Sequence, residues 1–209
     1  MLPVVAGQAG FTIVGLLATH ADWDHLLARY AFPEAALGVA AASAERLRSE
    51  PGSAQRALRD FDDEHYLTRP APLTIPAPEG LPAPGHCAIE ERELELHPAE
   101  GHTADGMAVL VPWAGVLCPG DYLSPVEIPM LSPGGSVEAY LETLERLEGL
   151  VERVQHVVPG HGEVLEPERA LAILREDRAY LQGLPDAPLP LARRSAAQKK
   201  IHAANLARI

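Results

Sequence analysis

The sequence predicts an α/β fold, and three observations carry that prediction. Residues 11–19 (FTIVGLLAT) are a short, continuously apolar and partly β-branched run, the pattern of a strand covered on both faces. Between residues 86 and 121 the hydrophobic period changes to two, which reads as further strands. Two amphipathic helical patterns follow with a strand pattern between them, and alternation of strands and helices along one chain defines the class.

In chain order, residues 26–30 read as helix and residues 37–40 (LGVA) as a strand. Residues 43–49 read as a helix with Ser43 as N-cap, because its hydroxyl can accept from the first free amides. Residues 50–66 read as helix around a break at Pro51-Gly52, and the proline-rich residues 67–85 as an extended crossing segment. Residues 89–96 (IEERELEL) alternate as a strand, and residues 107–112 and 115–118 add two more. In residues 136–151, Val137, Tyr140, Leu141, Leu144, Leu147 and Leu150 share one helical face, with Ser136 as N-cap. Residues 154–158 form a strand and residues 166–184 a helix with Pro167 in its first turn. The tail carries Arg193, Arg194, Lys199 and Lys200 and reads as a solvated terminal helix, with a tail folded back over the site through His202 and Asn205, which share one face, as the alternative.

With 209 residues, a single domain over 1–209 is expected, with 185–209 as a C-terminal tail. A hydrophobic fraction of 47% excludes a disordered chain. The formal net charge of -12 argues against nucleic-acid binding, which needs clustered Lys and Arg. Two cysteines, Cys87 and Cys118, make neither a disulfide framework nor a Cys-rich zinc module, and they suit a reducing, cytoplasmic compartment. No basic residue precedes the first apolar run, so it reads as neither a signal peptide nor a membrane anchor.

The chemistry is carried by four short segments. His20-Ala21-Asp22-Trp23-Asp24-His25 places four potential metal ligands within six residues, directly after the first strand. Alternate side chains of an extended segment share a face, so His20, Asp22 and Asp24 project together, with His25 on the turn. His and carboxylate are the donors that zinc, manganese and iron take. Residues 100–103 (EGHT), 119–121 (PGD) and 159–162 (PGHG) each end in a ligand beside Gly at or near the end of a strand. His102, Asp121 and His161 are thereby delivered to one edge of a sheet.

In this order the motifs HADWDH, EGHTADG, CPGDYL and VVPGHGE resemble the metallo-β-lactamase fold superfamily, whose signature runs His-x-His-x-Asp-His, Gly-His, Asp, Gly-His. The resemblance covers the chain from its first strand to about residue 184. It implies an αββα sandwich with two adjacent metal sites, one using His20, Asp22 and His102 and the other Asp24, His25 and His161. Asp121 and a hydroxide would bridge two divalent ions, zinc first and manganese or iron as alternatives. Asp24 would also orient the nucleophile or accept its proton. The sequence departs from the pattern twice. Asp22 stands where the family usually has His, which adds a negative charge and favours manganese or iron, unless Asp22 only hydrogen-bonds a ligating histidine. Only 19 residues precede His20, where the family has two or three further strands. Residues 1–19 are therefore a shortened strand region, and a second copy of the chain is one candidate to cover the exposed sheet edge.

The function implied is a metal-dependent hydrolase acting through a metal-bridged hydroxide on a small-molecule ester, thioester, lactone or similar bond. Two alternatives stay open: a mononuclear-iron sulfur dioxygenase on the same fold, and a non-catalytic partner protein. Trp23 reads as a packing residue, Tyr122 equally as a substrate contact or a buried sheet residue, and His65, His86, His97 and His156 as structural or surface histidines.

Overall fold

The computed structural model describes residues 2–209, and its contacts divide the chain into two compact units, Met1–Pro82 and Ala83–Ile209. The first unit runs α1 (Leu2–Gln8), β1 (Gly15–Leu17), a 3-10 turn (Trp23–Leu26), α2 (Ala28–Ala31), β2 (Ala36–Ala40), α3 (Ala41–Ser49), α4 (Ser53–Glu64) and β3 (Glu79–Leu81). Its sheet has the order β1-β2-β3, all parallel, in register Leu16↔Leu37 and Val39↔Gly80. The central strand β2 is apolar and buried over Leu37–Ala40, as a strand covered on both faces must be. Around it pack Ala18, Leu26, Ala44, Ala54, Leu58 and Leu73, with Trp23 and Tyr30 against them.

Three expectations for this unit are corrected. Residues 11–19 are not a strand covered on both faces: β1 is three residues long, and Phe11 and Val14 are 70% and 77% exposed. The reason is topological, since β1 pairs only with β2 among the described residues and forms the sheet edge. Ser43 is no N-cap, because β2 runs straight into α3 at Ala41 and leaves Ser43 buried inside the helix. Within the segment read as a crossing, the short strand β3 pairs with β2.

The second unit runs β4 (Gly85–Ile89), β5 (Arg92–Pro98), β6 (Met107–Val111), a 3-10 turn (Pro112–Ala114), β7 (Val116–Cys118), α5 (Val137–Val151), β8 (His156–Val157), α6 (Pro167–Gln182) and α7 (Ala196–Leu206). The strands lie in sequence order, antiparallel up to β7, with β8 parallel to β7. The alternating run at 89–96 is not one strand but the turn of a hairpin. Ile89 pairs with Arg92 across Glu90, whose φ is 54°. Alternation holds in β5 itself, which buries Leu94 and Leu96.

Both long helices form as their patterns require. Ser136 caps α5, its hydroxyl accepting from Ala139 N at 3.2 Å, and the helix buries Tyr140, Leu144, Leu147 and Leu150 against Leu110, Leu117, Ile173 and Leu174. The tail is not merely a solvated helix. Ser195 caps α7, which buries Gln198 and Asn205, and Arg193 just before it is buried with Asp177. Polar residues at core positions find partners there, a signal that hydrophobic periodicity cannot carry.

Candidate metal centre

In the first unit the loop after β1 presents His20, Asp22, Asp24 and His25. The His20 and His25 rings lie 4.0 Å apart, and their Nδ1 atoms are 3.2 and 3.4 Å from the Thr19 hydroxyl oxygen. That oxygen has two lone pairs, so it can accept from both rings, a tautomer that turns both Nε2 lone pairs outward as donors. Thr19 was not singled out by the sequence reading, although it directly precedes the motif. Asp24 Oδ2 is 3.5 Å from His25 Nε2, and Asp22 Oδ2 is 3.8 Å from His20 Nε2. The other Asp22 oxygen accepts from Arg46 at 2.7 Å, so a cation from α3 offsets the charge that distinguishes Asp22 from a histidine. Trp23 stacks at an angle on Phe61, 4.7 Å between centroids, in the packing role expected of it.

In the second unit three loops at strand ends bring His102, Asp121 and His161 together. One carboxylate oxygen of Asp121 lies 3.3 Å from His102 Nε2 and 3.4 Å from His161 Nε2. The Glu127 carboxylate lies 4.0 Å from His161 Nε2, an acidic neighbour that no motif announced. The loops are tied to one another: Gly160 N donates to Gly120 O at 2.8 Å, and Ser124 Oγ donates to His161 O at 2.9 Å. Tyr122 resolves as a structural residue. Its buried hydroxyl accepts from His102 N at 3.0 Å and donates to Glu100 O at 2.8 Å, and burial pushes the phenol well above its ordinary pKa. His97 turns to Glu95 instead, at 3.2 Å.

The backbone of this unit is held open for the loop by glycine. Gly101 has φ +122°, and a Cβ there would sit 2.2 Å from Tyr140 N.

The donor set suits a divalent metal. His102 Nδ1 lies 2.8 Å from Met130 O, and a carbonyl only accepts, so the ring proton sits on Nδ1. In the neutral ring, Nε2 then points a lone pair at a carboxylate oxygen 3.3 Å away, an arrangement of two acceptors that a cation between them makes favourable.

The family model of the metallo-beta-lactamase superfamily matches residues 2–161, and the chain belongs to that superfamily. Its α/β architecture is the superfamily's. The metallo-beta-lactamase family protein TTHA1429 from Thermus thermophilus is 19% identical, with a TM-score of 0.62 over 99% of this chain and 79% of that one. A di-iron-bound form of TTHA1623 gives a TM-score of 0.61 at 20% identity, covering 81% of this chain and 80% of that one. The DIM-1 metallo-beta-lactamase gives 0.58 at 16% identity, covering 87% and 74%. No curated protein matches the chain. Among the described residues no helix is long and apolar enough to cross a membrane.

Proposed function

We propose that the chain is a hydrolase of small-molecule ester, thioester, lactone or similar bonds, dependent on two divalent ions. By the family's order of motifs, His20, Asp22 and His102 would hold one ion and Asp24, His25 and His161 the other, with Asp121 shared. The observation that carries the reading is the single Asp121 oxygen facing two histidine Nε2 atoms at 3.3 and 3.4 Å. When bound, the ions would supply Lewis acidity toward the substrate oxygen and lower the pKa of bound water to about 7.

The chain's own residues do the rest. Asp24, partly exposed beside His25, orients the attacking water and accepts its proton. His102 keeps its proton on Nδ1 and its donor atom toward Asp121, so no reorganisation is needed when a ligand arrives. A net charge of -12 disfavours polyanionic substrates, which supports a neutral or cationic small molecule. Zinc is the first candidate, and the carboxylate content together with a di-iron-bound structural neighbour supports iron or manganese as alternatives.

The test is a panel of thioester, lactone, ester and phosphodiester substrates, assayed metal-replete and after chelation. Hydrolysis of an uncharged acyl substrate that chelation abolishes supports the reading. Turnover that survives complete metal removal contradicts it.

A further inference from the structure

We infer that the C-terminal helix α7 positions the histidine donor His102, through Asn205 and the peptide that joins Met130 to Leu131. This rests on the reading of His102 as a metal ligand. The carbonyl of that peptide accepts from His102 Nδ1 at 2.8 Å. The N–H of the same peptide donates to Asn205 Oδ1 at 2.9 Å. Asn205 and His102 therefore sit at the two ends of one peptide group. A hydrogen bond at its N–H polarises its carbonyl, which becomes a stronger acceptor for the imidazole proton. A stronger acceptor at Nδ1 makes Nε2 a better donor and fixes the ring's orientation.

Asn205 is built for this place. It is fully buried, and its Nδ2 donates to Pro129 O at 2.7 Å, so one carboxamide grips the backbone on both sides of Met130. The amide orientation is set by Tyr180, whose hydroxyl accepts from Nδ2 at 3.1 Å and in turn lies 2.8 Å from His202 Nδ1. Only a side chain with one donor end and one acceptor end satisfies Pro129 O and Leu131 N together. Gln198 on the same helix adds a contact one step further out, accepting from Ile128 N at 2.8 Å. The terminal helix thus grips residues 128–131 and, through them, His102.

The experiment uses the full chain with cobalt(II) as the probe. Its affinity is measured by chelator competition, and the exchangeable imidazole N–H signals of the cobalt form are followed by proton NMR. Asn205→Ala and the milder Asn205→Ser should weaken binding about tenfold and shift or broaden one of the imidazole N–H signals. Asn205→Asp keeps the volume and the acceptor for Leu131 N but loses the donor to Pro129 O, so it should melt below wild type yet bind cobalt more tightly than Asn205→Ala. Ile201→Ala removes an apolar contact of α7 with the core, outside the Asn205 network, and should lower the melting temperature while leaving affinity and N–H signals unchanged. Wild-type affinity in the folded serine or alanine variant would overturn the inference, as would an equal loss in Ile201→Ala. If the wild-type chain itself takes up no cobalt, the metal reading fails first, and the role of Asn205 falls with it.

Discussion

Arg46 donates to one oxygen of Asp22 at 2.7 Å, while the other oxygen stays 3.8 Å from His20 Nε2. The two side chains are a quarter exposed or thereabouts, at 28% and 21%, so the pair is only partly shielded from water. A double-mutant cycle on the metal-free protein, using Arg46→Met and Asp22→Asn, should return a coupling of about 1 kcal/mol. Zero coupling would remove Arg46 as the counter-charge.

Asp22→Asn keeps an acceptor for Arg46 but loses the anion. If Asp22 is a ligand, the variant should lose metal at one site and keep it at the other, with its fold intact by circular dichroism. Full occupancy of both sites in the variant would leave Asp22 only the job of holding its neighbours.

Arg193 and Asp177 form a buried pair at 2.5 Å, and Arg193 also donates to Glu127 O at 2.7 Å. Burial pushes the Asp177 carboxyl up to about 7, against the lowering pull of Arg193. The folded chain then keeps a proton that the unfolded chain loses above about 4. This contribution to stability is fully present below that value and is lost as pH rises through about 7. Arg193→Met should cost about 3 kcal/mol at pH 8, where the carboxylate would be buried without its cation, and less at pH 5. Denaturant melts at the two pH values check the sign, and an equal loss at both would contradict it.

Gly101 and Gly149 should respond to alanine in opposite directions. A Cβ at Gly101 meets Tyr140 N at 2.2 Å, with φ at +122°, so Gly101→Ala should lower stability by at least about 2 kcal/mol. Gly149 lies within α5 with nothing within 4 Å of such an atom, so Gly149→Ala should raise stability by about 0.5–1 kcal/mol. Thermal melts of the two variants decide it.

Much of this was legible in the sequence, and the exceptions have physical causes. The helices α5 and α6 announced themselves because each buries an apolar stripe, and Ser136 caps the first as its chemistry requires. The candidate donors His102, Asp121 and His161 could be singled out because each sits beside Gly at or near a strand end, and His20 to His25 because four donor side chains crowd six residues. What periodicity cannot report is which neighbour covers an apolar run. Phe11 and Val14 look like core and are exposed, ahead of a β1 that is only three residues long and lies at the sheet edge. Nor can it report polar partners far apart in sequence. Asn205 meets residues 129 and 131, and Arg46 meets Asp22, through contacts that only the folded chain creates. Thr19 had a local signal, a hydroxyl directly before the first histidine, and that adjacency sets its contact to His20, while the turn of the loop brings His25 to the same oxygen.

The most direct test of the central claim is metal content and melting temperature read on the same sample. Protein purified without chelator should carry divalent metal, close to two ions per chain. Chelation should lower the melting temperature, and zinc or manganese should restore it, because the facing donors lose the cation that holds them together. A chain that binds no divalent ion, and melts at the same temperature with or without zinc and manganese, would contradict the account.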